Sequence, residues 1–271
     1  MSCRRSSRLL NLQDSVSRYQ SLRDPVADKV LVDELLSLRY QFPRFGYRRI
    51  HALLRRQGLH TNVKKVYRLW SANGLNVPRK RAYRRRYGKG HRWMSAIVPN
   101  AIWAFDFLFD ECANGQKLKF FAVEDEFTRE SLAIEVDGKY RAQHVVATLN
   151  RLCVLHGKPA FVRCDNGPEF ISRAIKKWAT SCGIKIAHTQ PGKPWQNETI
   201  ESFNSRFRDE CLDREWLADR AEARHVAETW RRYYNEQRPH SSLQYRTPKE
   251  MRVLATSTCQ TPFPEAMTAV A

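Results

Sequence analysis

Residues 102–109 read IWAFDFLF, seven apolar side chains around one carboxylate, Asp106. A nearly continuous apolar run rich in aromatics is a strand of a covered sheet, too short for a buried helix of ordinary length. An ionised group inside such a run is costly unless something pairs with it. The stretch therefore asks for a sheet with helices packed on it, and for a partner to Asp106.

The flanking pattern supplies the sheet. Asn114-Gly115 marks a turn, residues 118–123 a second strand, Glu124-Asp125-Glu126 an interruption and residues 132–136 a third strand, together an antiparallel meander. Residues 141–156 carry Val145, Val146, Leu149, Leu152 and Cys153 at helical spacing, and Gly157-Lys158-Pro159 stops them. Residues 161–164 form a fourth strand that runs into Asp165-Asn166-Gly167. A helix over 171–182 ends at Gly183, residues 184–187 make a fifth strand, and WQNETIESFNSRFRDECL makes a last helix. The order β-β-β-α-β-α-β-α predicts an α/β fold, a mixed five-stranded sheet with flanking helices.

Asp165 by itself is a turn former, because Asp and Asn hydrogen-bond their own backbone. The last helix changes that reading. Ile200, Phe203, Phe207 and Cys211 line one apolar face, and Asn197, Glu201, Ser205 and Arg208 line a polar face beside it. An exposed Glu on a helix is ordinarily a solvated charge. Here it shares its face with an amide, a hydroxyl and a guanidinium, groups suited to a phosphate backbone. If strands one and four are neighbours, Asp106 and Asp165 meet and the helix lays Glu201 across them. Three like charges in one place call for cations, and hard oxygen ligands suit Mg²⁺ or Mn²⁺. Two such ions would stabilise the attacking and leaving oxygens of a phosphoryl transfer.

Charge names the substrate class. The net charge of the chain is +19, and residues 1–93 hold 23 Lys and Arg against 5 Asp and Glu. The other residues are nearly balanced, so the asymmetry points to nucleic acid. In the basic third, Val30, Leu31, Leu35 and Leu38 form a helical stripe. Ile50, Leu53 and Leu54 form another, ended by Gly58. Val63, Val66, Tyr67, Leu69 and Trp70 form a third, capped by Thr61 or Asn62 and ended by Gly74. Two short helices around a Gly-containing turn suit a helix-turn-helix, with Lys64, Lys65 and Arg68 placed to reach phosphates and base edges. A small helical bundle with solvated charges is the plain alternative. Residues 78–93 lack apolar periodicity, and Arg84, Arg85 and Arg86 with Tyr83 and Tyr87 read as an extended arm along a phosphate backbone. The expected divisions are a helical DNA-binding region over 1–77, a basic linker over 78–93, a catalytic core over 94–250 and a tail over 251–271. Seven scattered cysteines without Cys-x-x-Cys, and no secretion signal at MSCRRSSRLL, predict free thiols in the cytoplasm. No apolar run reaches the roughly 20 residues of a membrane span.

RFGYRRIHALLRRQG, WAFDF, VEDEFTRE, CDNGPEF, QPGKPWQNETIESFNSRFRDECL and YNEQRPHSSLQYRTPKE carry a resemblance across residues 44–250. The chain resembles the OrfB transposases of bacterial insertion sequences, whose DDE catalytic core is similar to retroviral integrase. Thirty-five residues lie between Asp165 and Glu201, the spacing of that family's signature. The resemblance implies a ribonuclease H-like core, Asp106, Asp165 and Glu201 as catalytic and metal-binding residues, and Mg²⁺ or Mn²⁺, two ions, as cofactor. It also implies double-stranded DNA, transposon ends and target, as substrate. A multimer on DNA, a partner or fusion from an upstream OrfA frame, and a nucleoid-associated location when bound follow in the same way. Asp125 and Glu198 are nearby carboxylates that do not match the triad. The His/Cys pairs of a retroviral zinc site are lacking. A ribonuclease H outside transposition and a non-catalytic regulator derived from a transposase are the competing readings.

Overall fold

The computed structural model describes residues 24–78, 94–189 and 197–258. The chain divides between Pro78 and Arg79 into two compact units.

The described residues of the first unit form three helices, α1 (Pro25–Gln41), α2 (Tyr47–Arg56) and α3 (Val63–Ala72). Asp24 caps α1 by accepting from the Val26 and Ala27 amides, with Pro25 at the first helical position. Asn62, not Thr61, caps α3, its side chain accepting from the Lys64 amide at 2.8 Å. Gly58, at φ +83°, takes the left-handed conformation that ends α2. Leu35, Leu38, Ile50, Leu54, Val66 and Trp70 close the core between them. Val30, expected in that stripe, is exposed instead.

The second unit is built on a sheet of β1 (Ile102–Glu111), β2 (Lys117–Asp125), β3 (Ser131–Asp137), β4 (Phe161–Cys164) and β5 (Lys185–His188). Its order is β3-β2-β1-β4-β5. The meander pairs are antiparallel, and β1–β4 and β4–β5 are parallel. The apolar run that opens the unit is thus the central strand. Trp103, Phe105, Phe121 and Val123 face α4 (Ala142–His156) and α5 (Arg173–Cys182) through Val145, Leu149, Ile175 and Trp178. Alternate residues Ala104, Phe120, Ala122 and Ile134 face α6 (Glu198–Glu210) and α7 (Arg220–Glu236) through Ile200, Phe203, Phe207 and Trp230. A last helix, α8, spans Pro248–Thr258 and crosses the position where a tail was expected to begin.

Two features depart from the sequence reading. The acidic triplet does not interrupt β2: Glu124 and Asp125 belong to the strand, and all three acids are buried. Partners both near and distant in sequence make this tolerable. Asp125 accepts from the amides of Asn100 and Thr128 and from the Thr128 hydroxyl, Glu126 pairs with Arg163 at 2.8 Å, and Glu124 takes the Tyr234 hydroxyl at 3.3 Å. The second departure is α7, 17 residues long, which packs on β3 and was not anticipated.

Candidate active site

The sheet's period of two decides which carboxylates meet. Asp106 follows Ala104 by two residues and so projects toward α6. On β4, Val162 and Cys164 belong to the opposite layer, so Arg163 and Asp165 project with Asp106. The β1–β4 ladder pairs Ala104 with Arg163, and two more residues along both strands bring Asp106 level with Asp165.

At Asp165 the chain leaves the sheet. The Gly167 amide donates to Asp165 Oδ1 at 2.9 Å, and a Cβ on Gly167 would stand 3.0 Å from that oxygen. A side chain there would push the Asp165 carboxylate aside by a few tenths of an ångström. The loop is then anchored at Phe170, which lies 4.8 Å from the Phe107 ring in a parallel stack and 4.9 Å from Phe105 edge-on. Glu169 adds an ion pair to Lys119 of β2, whose ammonium lies 3.8 Å from the Phe107 ring centroid. Asp165 is therefore both the turn former and a carboxylate fixed in place by its turn.

From the helix side, Asn204 Nδ2 donates to Asp106 Oδ2 at 3.0 Å, while the Phe107 amide donates to Oδ1 at 2.8 Å. Asn204 is buried and stands one turn after Glu201. It escaped the sequence reading, although its i+3 spacing from Glu201 was the available signal. Burial above all, with the charges of Asp165 and Glu201 adding to it and the Phe107 and Asn204 hydrogen bonds opposing it, pushes the Asp106 carboxyl up to about 6. These two carboxylates thus act on Asp106 from a neighbouring strand and a covering helix. Among the described residues no three His, Cys, Asp or Glu side chains are drawn close enough to hold one ion. Burial, with Asp165 and Asp106 adding to it, raises the adjacent Cys164 thiol to about 12, so that sulfur stays protonated and is no nucleophile.

The predicted DNA contacts fare differently. Lys64 is exposed, but Lys65 and Arg68 are turned to Asp28 of α1 at 2.8 and 2.7 Å. Asn197 is buried at the start of α6 rather than displayed on a polar face. Arg208 reaches back to β1, donating to the Phe109 carbonyl at 2.6 Å and pairing with Asp110 at 3.4 Å. Arg84, Arg85 and Arg86 lie outside the described residues. Arg238 and His240, in the stretch that follows α7, are both buried: Arg238 forks onto Glu210 at the end of α6 and donates to His240 Nε2 at 3.2 Å.

The geometry agrees with what the chain is similar to. Two family profiles described as "Integrase core domain" match residues 98–194 and 182–248, and one described as "HTH-like domain" matches 27–83. The uncharacterized 31.7 kDa protein of insertion element IS407 from Burkholderia multivorans is 42% identical over 259 residues, 96% of this chain and 93% of that one. Transposase InsD of insertion element IS2 from Escherichia coli is 30% identical over 235 residues, 80% of this chain and 77% of that one. Among solved structures, the simian T-cell lymphotropic virus intasome in complex with PP2A regulatory subunit B56 gamma holds a chain with the same fold. The two agree with a TM-score of 0.53 at 17% identity, over 82% of this chain and 76% of that one. No helix among the described residues is long and apolar enough to cross a membrane. A helical HTH-like unit, a ribonuclease H-like mixed sheet and a relative aligned along nearly its whole length place the chain in the family of insertion-element transposases with an integrase core.

Proposed function

We propose that this transposase cuts and joins DNA strands by a DDE mechanism in which Asp106, Asp165 and Glu201 hold divalent cations, Mg²⁺ or Mn²⁺, two in number. The observation that carries this reading is the convergence on Asp106: a half-buried carboxyl on the central strand, raised to about 6 by burial and by Asp165 and Glu201. Carboxylates that repel one another are a fitting donor set for hard cations, whose charge removes the penalty. Bound there, the cations would lower the pKa of a water or 3′-hydroxyl and offset charge at the scissile phosphate.

The chain's own residues supply the positioning. Asn204 and the Phe107 amide each direct one oxygen of Asp106. The Gly167 amide fixes Asp165, and Phe170 locks the loop behind it. The thiol of Cys164 remains neutral and takes no part as a nucleophile. Water would serve as nucleophile for cleavage and a DNA 3′-hydroxyl for joining, with the duplex held by the basic N-terminal third. Two DNA ends must be brought together, which favours a multimer. An upstream OrfA product or fusion would add the avidity that one chain lacks.

Cleavage and joining of labelled duplex carrying the element's terminal sequences, with Mg²⁺ present, tests the assignment. Asp106→Asn, Asp165→Asn and Glu201→Gln should each lower both steps by roughly 10²-fold or more, with thermal unfolding still cooperative. Near-wild-type activity in any of the three removes that residue from the site.

A further inference from the structure

The ion pairs of the first unit redraw its DNA-reading edge. Lys65 and Arg68 share Asp28, whose carboxyl they hold below the usual range by hydrogen bonding and charge. Asp28 belongs to α1, and so do the other acids among the unit's described residues: Asp24 at its cap, Asp33 and Glu34. From Arg44 to Pro78, across α2 and α3, there is no Asp or Glu, against eight Lys and Arg. A duplex laid against Lys65 and Arg68 would meet Asp28 and the acidic helix behind it. A duplex on the Val63–Tyr67 flank of α3, with Lys64 between that flank and Arg68, would meet no carboxylate from α2 or α3.

That flank is already dressed for contact. Val63 is 39% exposed and Tyr67 is 52% exposed, at i and i+4, with exposed Lys64 beside them. The Tyr67 ring is held by Tyr47 of α2, centroids 4.9 Å apart, so it is stiff despite its exposure. Arg48, exposed one residue along, donates to the Tyr47 hydroxyl at 3.1 Å. An apolar side chain, an aromatic ring with a hydroxyl, and flanking cations match the needs of base-edge reading beside phosphate contact. The Val methyls suit a thymine methyl, and the phenol suits a base edge or phosphate oxygen. The first turns of a second helix are also where such units meet the major groove.

We infer that Val63, Lys64 and Tyr67 form the sequence-reading edge for duplex DNA, and that Lys65 and Arg68 are structural ties to α1. This rests on the DNA-binding reading of the helical unit. It assigns sequence preference to three side chains and withholds it from two that charge alone would nominate.

The test is selection of bound duplexes from a random-sequence pool by the full chain, followed by affinity measurements on the enriched sequence. Two variants are compared with wild type. Val63→Ala/Tyr67→Ala strips the edge. Asp28→Asn/Lys65→Gln/Arg68→Gln removes the ion cluster as a unit, leaving no carboxylate uncompensated. The edge variant should lose at least about tenfold in preference for enriched over scrambled duplex while keeping the wild-type salt dependence. The cluster variant should enrich the same sequence and keep its preference within about threefold. Thermal melting checks that each is folded. If the cluster variant is unfolded, Tyr67→Phe and Lys64→Gln, both at exposed positions, decide the matter by whether preference falls. Loss of preference in a folded cluster variant, or full preference in the edge variant, overturns the assignment. A wild-type chain that retains no duplex even at low salt overturns the DNA-binding reading itself, and the assignment with it.

Discussion

Asp106 is expensive in the absence of cations, and the expense has a sign. An unfolded Asp titrates near pH 3.9, whereas in the folded chain this carboxyl is raised to about 6. The folded state therefore binds the proton more tightly. That contribution is full below about pH 4 and is lost as pH rises through about 6. Asp106→Asn cannot ionise and escapes the loss. With chelator present, the variant should match wild type at pH 4 and exceed it by about 1–3 kcal/mol at pH 7.5, read from melts across that range. Added Mg²⁺ should stabilise wild type and leave the variant where it was. A wild type that is more stable than the variant at pH 7.5 without metal would mean that the carboxylate is already well satisfied. Asn204 presents a separate test, because it touches Asp106 but carries no charge. Asn204→Ala should cut kcat about tenfold and raise the Mg²⁺ concentration for half-maximal activity, with duplex affinity unchanged. An equal loss of duplex affinity would assign it to binding instead.

At the scale of the element, α6 is the part that must not slide. Its N-terminal turns carry Glu201 and Asn204, and its last residue, Glu210, is tied by the buried fork of Arg238. Glu210 lies nine positions after Glu201, about 13–14 Å along the helix axis. Arg238 is wrapped by the Tyr234 ring, 5.3 Å from its guanidinium, and by His240. Arg238→Leu leaves Glu210 buried without its cation and should cost about 3–5 kcal/mol in chemical denaturation, while Arg238→Leu/Glu210→Leu should recover most of it. A double variant no better than the single would show that packing, not charge, sets the cost. These ties also mark where the sequence stops being legible. The strands and the apolar face of α6 could be read because their periods of two and 3.6 are local. That Asp165 and Glu201 would lie near Asp106 followed from supposing strands one and four to be neighbours, and both charges do act on Asp106. The burial of Glu124, Asp125 and Glu126 could not be read, because their partners Tyr234, Asn100 and Arg163 are distant in sequence. α7 was hidden by its composition: its buried set is Ala223, Ala227, Trp230, Tyr234 and Asn235 amid charged residues, so no strong apolar stripe announces it. On α3, charge suggested Lys65 and Arg68 as DNA contacts, and only the structure reveals Asp28 beside them.

Over the whole molecule, charge and chemistry are divided between the two ends of the chain. Residues 1–93 hold almost the entire excess of the net +19, and the carboxylates of the candidate site lie beyond them. Such a division separates affinity from catalysis, and salt can measure it. Each phosphate neutralised by a Lys or Arg steepens the fall of log affinity with log salt by about 0.9. If Arg84, Arg85 and Arg86 lie along a phosphate backbone, replacing all three with Ala should flatten that slope by about 2 to 3. It should weaken binding to enriched and scrambled duplexes equally, because phosphate contacts carry no base information. Asp106→Asn, which changes the site and not the basic third, should leave the slope unaltered. Fluorescence anisotropy of the full-length chain with a labelled duplex, between about 50 and 300 mM salt, gives both numbers. An unchanged slope in the triple variant would take the linker off the phosphates. A loss confined to the enriched duplex would make these arginines readers of sequence, and then the edge formed by Val63, Lys64 and Tyr67 could not account for preference alone.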